Sequence, residues 1–305
     1  MIVFRRRTHS SVPATGHESE VASLVASLDG RFFASCSFDT TTILWDAVRG
    51  DILHEWQGHS GRRVNTLAFS PDGAHLLSGG DDNTLKVWDV SSPIGQEVPV
   101  KHTHTLLASD GRMPDPGQSV FRCLWSADGK WLVSLSITKT LRVWAAPNDR
   151  LNPTSSFRLH RTFHEYALSP LLCPPVFSPD SRWLVWHSER PGEYFCAWDA
   201  TAPDSDGEAD APPRRFPAAP GEELTSTPSF DPSGARIVTV SERVMRVWDI
   251  ATGAQLAIMK GHTRDVGQVS WSPDGRRVLS ASRDGTARVW CAESGACEQI
   301  GRAHV

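Results

Sequence analysis

Ser78, His59 and Asp82 are the residue types of a hydrolytic triad: a hydroxyl nucleophile, an imidazole base and a carboxylate to orient it. The same types recur as His17, Ser35 and Asp39, and again as His262, Ser280 and Asp284. In every set the Asp follows the Ser by four residues and precedes a tryptophan (Trp45, Trp88 or Trp290) by six. An active site is needed once. A set that recurs three times in the same register reads as architecture, and the indole N–H beside it, a donor only, suits a stabilising network. No catalytic residue is assigned.

Other chemistry finds less support. His102 and His104 flank Thr103 in a predicted outer strand, which would place both on one face, but two ligands without a third do not make a metal site. His160 and His164 are no better placed. Six cysteines (Cys36, Cys123, Cys173, Cys196, Cys291, Cys297) are scattered without the pairing of a zinc site or disulfide framework and read as reduced thiols. No Gly-rich phosphate loop or nucleophile elbow is present. Neither a metal nor a cofactor is expected.

The elements that would carry these residues repeat. A turn of the type Ser-Pro-Asp-Gly recurs at Ser27–Gly30, Ser70–Gly73, Ser126–Gly129, Ser178–Ser181, Asp231–Gly234 and Ser272–Gly275. Each precedes a tryptophan (Trp45, Trp88, Trp144, Trp198, Trp248, Trp290) by 17 to 20 residues, whereas successive tryptophans lie 42 to 56 apart, so the variation sits in loops between units. Inside a unit the pattern is three short strands, as at Val64–Ser70, Ala74–Ser78 and Thr84–Asp89, joined by hairpin turns. Segments such as Asp51–Gln57 and Ala254–Lys260 read as a fourth strand. Four antiparallel strands per unit, repeated radially, make an all-β propeller. No helical periodicity of useful length is seen.

On these motifs the chain resembles the WD-repeat family over essentially its whole length. The strongest match is Gly58-His59 followed by Leu76 to Asp89; Gly16-His17 and Gly261-His262 open two more good units, and Cys291 replaces the Asp of the last Trp-Asp pair. The resemblance implies a hydrogen-bonded tetrad in each good blade: His17, Ser35, Asp39, Trp45; His59, Ser78, Asp82, Trp88; and His262, Ser280, Asp284, Trp290. Units three to five lack the Gly-His; Thr138 and Glu242 stand near the Asp position and Trp186 falls where the Ser belongs, so those blades should depend on packing. Six units are recognised in a single domain spanning 1–305. An outer strand before the first unit (Ile2–Thr8) and another after the last (Cys297–Ile300) are one more than a six-bladed ring needs, and with a terminal Gly301-Arg302-Ala303-His304-Val305 they keep a second reading open, a seven-bladed ring with one blade incomplete. The segment 202–220, rich in Pro, Asp and Ala, is expected to be a mobile loop between blades.

Composition sets the outer bounds. The 305 residues are 39% hydrophobic and 22% charged, enough to fold, and no apolar run approaches a membrane span. A net charge of −4 and a pI near 6.3 lack the basic excess of a dedicated nucleic-acid binder. The start, Met1 to Phe4 followed by Arg5-Arg6-Arg7, is not ordered like a signal peptide, so a cytoplasmic or nuclear location is expected.

The resemblance implies a non-catalytic scaffold, a subunit of a larger complex, that binds protein or peptide partners around the propeller channel through the residues preceding each tetrad Asp: Phe38, Asp81 and Arg283. Arg62, Arg63 and Arg264 could add charge complementarity. The alternatives are a ubiquitin-ligase substrate receptor, for which Trp45-Asp46-Ala47-Val48-Arg49 is one residue too long, and an enzyme built on a propeller.

Overall fold

A computed structural model describes residues 16–91, 101–107, 119–147, 156–164, 174–188, 192–202, 212–217 and 224–302. Among these residues there are 24 strands and no helix. They form six four-stranded antiparallel sheets, each built from consecutive strands, which is the β-propeller blade of the WD type. The chain divides into two compact units, Met1–His164 and Glu165–Val305.

The first unit holds three sheets. Sheet 1 is β1 (Val21–Ala26), β2 (Phe32–Ser37), β3 (Thr41–Asp46) and β4 (Ile52–Gln57); sheet 2 is β5 (Val64–Phe69), β6 (His75–Gly80), β7 (Thr84–Asp89) and β8 (Lys101–Leu107). Sheet 3 is β9 (Val120–Trp125), β10 (Trp131–Ser136), β11 (Leu141–Ala145) and β12 (Arg158–Phe163). The second unit repeats the plan. Sheet 4 is β13 (Val176–Phe177), β14 (Trp183–His187), β15 (Glu193–Asp199) and β16 (Arg214–Pro217); sheet 5 is β17 (Ser229–Phe230), β18 (Arg236–Ser241), β19 (Val244–Asp249) and β20 (Gln255–Met259). Sheet 6 is β21 (Val266–Trp271), β22 (Arg277–Ser282), β23 (Thr286–Cys291) and β24 (Cys297–Arg302).

The Ser-Pro-Asp-Gly turn works the same way in five sheets. In sheet 1 the Ser27 hydroxyl donates to Asp29 at 2.7 Å and accepts the Phe32 N–H at 3.0 Å, while Gly30 takes a left-handed φ of 70°. In sheet 5 the two side chains exchange roles, with Asp231 accepting the Arg236 N–H at 3.0 Å and the Ser233 hydroxyl at 2.8 Å. Swapping Ser and Asp across the turn therefore keeps the same hydrogen bonds.

Neighbouring sheets inside each unit are joined by apolar contacts. Ala34, Cys36 and Leu44 of sheet 1 pack with Val64, Leu67 and Trp88 of sheet 2. Leu77, Leu85 and Val87 of sheet 2 pack with Val120, Cys123 and Trp144 of sheet 3. In the second unit Tyr194, Phe195 and Phe216 of sheet 4 meet Ile237 and Trp248 of sheet 5, and Val238 and Val247 of sheet 5 meet Val266, Val269 and Trp290 of sheet 6.

Two sequence expectations need correction. The segment 202–220 is not simply a loop: Arg214–Pro217 is the outer strand of sheet 4, paired with β15, and Phe216 is fully buried. Its Pro- and acid-rich flanks masked a four-residue strand that one aromatic anchors. His102 and His104 do not share a face either. A β-bulge in β8 sets His102 opposite Trp88 and His104 opposite Val87, and alternation then sends the two rings to opposite faces. His102 lies against Trp88, centroids 5.1 Å apart, and His104 against Phe157 at 5.0 Å. Among the described residues no group of three or more metal-ligating side chains occurs. Ile2–Thr8 and Ala303–Val305 lie outside the described residues, where six outer strands serve six sheets.

Candidate functional site

The three Ser/His/Asp sets meet as hydrogen-bonded chains, one in each of sheets 1, 2 and 6. In sheet 2, Trp88 Nε1 donates to Ser78 Oγ at 2.8 Å, Ser78 Oγ lies 2.7 Å from His59 Nε2, and His59 Nδ1 lies 2.8 Å from Asp82 Oδ1. A carboxylate only accepts, so Nδ1 carries a proton, and in the neutral imidazole Nε2 accepts the Ser78 hydroxyl. Donation runs one way, Trp to Ser to His to Asp, and every link polarises the next. Sheet 1 repeats the chain at 2.8, 2.8 and 3.0 Å through Trp45, Ser35, His17 and Asp39. Sheet 6 repeats it at 2.8, 2.7 and 2.8 Å through Trp290, Ser280, His262 and Asp284.

The connectivity is that of a hydrolase triad, yet the environment is not. Ser78 and Ser280 are 0% exposed, so no substrate carbonyl can approach their oxygens, and each oxygen already accepts an indole N–H. The Gly before the His belongs to the same packing. A Cβ on Gly58 would lie 2.5 Å from the Trp88 indole, so the loop can pass over that ring only as glycine.

A fifth member escaped the sequence reading. Thr41, Thr84 and Thr286 each donate a hydroxyl hydrogen bond to the tetrad Asp, at 2.6, 2.7 and 2.6 Å, and their backbone N–H groups donate to the same carboxylates. The signal was legible as a Thr two residues after each Asp.

Burial raises the Asp39 carboxyl, but hydrogen bonds from Thr41 and the Glu18 N–H, together with His17, outweigh it and leave the group at about 2. Asp82 and Asp284 are lowered by the same balance, burial opposing hydrogen bonds from the His and Thr. Their folded values lie below the unfolded one, so the stability they contribute is complete above the ordinary carboxylate value and is lost as pH falls through the folded value. The thermal midpoint should therefore drop on acidification from about pH 5 to about pH 2, and Asp39→Asn should shallow that drop. An equally steep fall in the variant would contradict this origin.

Sheets 3 to 5 keep only part of the device. The indole bond survives in sheet 3 as Trp144 to Ser134 at 3.2 Å and in sheet 5 as Trp248 to Thr239 at 2.9 Å. In sheet 4 Trp186 occupies the Ser register and is buried, Thr138 in sheet 3 bonds Ser136 at 2.8 Å, and Glu242 stands exposed on its turn. Aromatic packing replaces the network between sheets 4 and 5, where Phe195 stacks on Phe216 at 4.0 Å and Trp248 meets both edge-on.

A profile of the family described as WD domain, G-beta repeat matches residues 10–46, 50–89, 108–145 and 253–291, half of the chain. The chain belongs to the WD-repeat family. It is 26% identical over 275 residues to a serine-threonine kinase receptor-associated protein of Mus musculus, covering 90% of this chain and 67% of that one. A Dictyostelium discoideum protein of the same name is 25% identical over 299 residues, covering 90% and 97% respectively. The WD repeat, SAM and U-box domain-containing protein 1 of Danio rerio is 42% identical over 81 residues, 26% of this chain and 16% of that protein.

The residues expected to meet partners on a WD-repeat scaffold lie on turns and loops. In the first unit Phe38, on the β2–β3 turn, is half-buried, with the exposed Arg63 guanidinium 4.8 Å above its ring. Arg62 beside it is exposed. Asp81, on the β6–β7 turn, is already engaged: its carboxylate accepts the Asn65 amide at 2.8 Å and the Ser119 hydroxyl, tying sheet 2 to the entry of sheet 3. In the second unit Arg283 and Arg264 are exposed, the Arg283 N–H donating to the Asp265 carbonyl at 2.9 Å.

Proposed function

We propose that this WD-repeat chain is a non-catalytic scaffold that engages protein or peptide partners, and that in the first unit the Phe38–Arg63 pair is an anchor. The observation that carries the reading is the aromatic ring held half-open under a guanidinium 4.8 Å away, beside a second exposed arginine, at the turn that precedes a tetrad Asp. Aromatic and arginine side chains dominate binding energy because they bury much area and are positioned before the partner arrives. Arg62, Arg264 and Arg283 supply positive charge that raises encounter rates with acidic partner surfaces. Asp81 contributes by fixing its turn. The name shared by the Mus musculus and Dictyostelium discoideum relatives, receptor-associated, is consistent with protein partners.

The test is affinity purification with mass spectrometry from native extract, comparing wild type with Phe38→Ala and Arg63→Glu. At least one partner should be retained by wild type and lost by both variants, a hot-spot deletion costing about 2 kcal/mol or more. Identical partner sets would refute this surface.

A further inference from the structure

Arg31, Arg182, Arg215, Arg236 and Arg277 each hold a carboxylate oxygen at 2.6 to 3.1 Å. Arg243, Arg264 and Arg283 are different. All three are exposed, and none of them is in an ion pair among the described residues.

These three stand on consecutive segments of one rim of the second unit, and hydrogen bonds tie the segments together. Arg243 is on the β18–β19 turn of sheet 5, Arg264 on the loop that enters sheet 6, and Arg283 on the β22–β23 turn. The Glu242 carbonyl beside Arg243 accepts the Val266 N–H at 2.7 Å, and the Asp265 carbonyl accepts the Arg283 N–H at 2.9 Å. The Arg264 carbonyl accepts the Ser282 hydroxyl at 2.9 Å. Three guanidiniums are therefore carried by a fixed backbone. Sheet 5 is packed on both faces, by sheets 4 and 6, and its turn still exposes Glu242 and Arg243, so packing between sheets leaves this rim open.

Each of the three arginines is next in sequence to a carboxylate, Glu242, Asp265 or Asp284. Asp284 is spent on the tetrad, whereas Glu242 and Asp265 are exposed. Their charge opposes that of the arginines and leaves a weak field, poorly suited to a long polyanion whose binding grows with the number of phosphates neutralised. What the rim offers is geometry, planar forks that can each donate two parallel hydrogen bonds. A carboxylate, with two oxygens and a single charge, is served by one fork. A phosphate monoester carries about −1.5 to −2 charge and three strong acceptor oxygens, enough to engage all three.

We infer that the Arg243, Arg264 and Arg283 rim of the second unit binds a phosphorylated serine or threonine of a partner protein. The inference rests on the scaffold reading above and adds the chemistry of the partner.

A degenerate peptide library with one fixed phosphoserine or phosphothreonine tests it on the full chain, beside the same library carrying serine or threonine and one carrying glutamate. Wild type should retain the phosphorylated library at least about tenfold better than either of the others, because several hydrogen bonds to a charged group are lost together. The triple variant Arg243→Ala, Arg264→Ala, Arg283→Ala should lose that preference and melt as wild type does, since all three side chains are exposed. If it misfolds, the three single substitutions make the same comparison. Phe38→Ala should keep the preference, so failure of this rim and failure of the first unit's anchor are told apart. Equal retention of the phosphorylated library and either control, an undiminished preference in the arginine variants, its loss in Phe38→Ala, or tighter binding of a homopolymer RNA than of the phosphorylated library would each overturn the proposal.

Discussion

Replacing Phe216 by alanine is expected to lower the unfolding free energy by about 3 to 5 kcal/mol, the cost of truncating a fully buried aromatic. The side chain is 0% exposed, stacks on Phe195 with centroids 4.0 Å apart and meets Trp248 at 5.9 Å. It anchors a strand of only four residues, so little else can take up the loss. Truncation also removes a stacked partner whose worth is about 0.5 to 1.5 kcal/mol beyond its area. Urea unfolding measures the change. A loss under about 1 kcal/mol would mean that the segment behaves as the loop its composition suggests.

Asp82→Ala should cost about 1 to 3 kcal/mol for a different reason. The carboxylate accepts from the His59 ring at 2.8 Å and from the Thr84 hydroxyl at 2.7 Å, and His59 is 1% exposed. Without it, the His59 and Thr84 donors lose their acceptor in a largely buried setting. Ser78 would also lose the orientation of its imidazole partner, so the damage spreads along the chain toward Trp88. The thermal midpoint should fall, and Asp82→Asn, which keeps one carbonyl acceptor, should fall less. An unchanged midpoint in the alanine variant would contradict a structural role for the tetrad.

The architecture was largely legible because the repeat writes it at several levels. A Ser-Pro-Asp-Gly turn, a strand of alternating character and a Trp at nearly fixed distance agree about where each sheet lies, and agreement across levels is what makes a sequence specify a structure. The strands around Val64, Thr84 and Ile52 fall within a residue or two of expectation. Arg214–Pro217 was missed because a four-residue strand carries almost no periodicity and its identity rests on one buried ring. The bulge in β8 was missed because pattern reading assumes strict alternation, and an inserted residue changes every face after it.

The polar network was legible as a list of residues and not as a function. Ser, His and Asp spell a triad whether they lock a sheet or hydrolyse a substrate; repetition and burial separate the two. Thr84 carries no distinguishing signal of its own, because threonine is common in strands and only the fold brings its hydroxyl onto the Asp82 carboxylate. Phe38 stands on the β2–β3 turn, and the guanidinium of Arg63 over its ring, from the loop that leads into sheet 2, is a tertiary fact that no local pattern encodes. Asp81 shows the converse, a turn carboxylate whose partners Asn65 and Ser119 are distant in sequence and use up its capacity.

The most direct test of the central claim, that these Ser/His/Asp sets lock sheets rather than perform chemistry, is labelling of the native protein with a fluorophosphonate that reacts with activated serines, read by peptide mass spectrometry. Ser35, Ser78 and Ser280 should remain unmodified while the fold is intact, because each oxygen is buried and already accepts a tryptophan N–H. Stoichiometric modification of any one of the three, suppressed by mutating its His, would contradict the account.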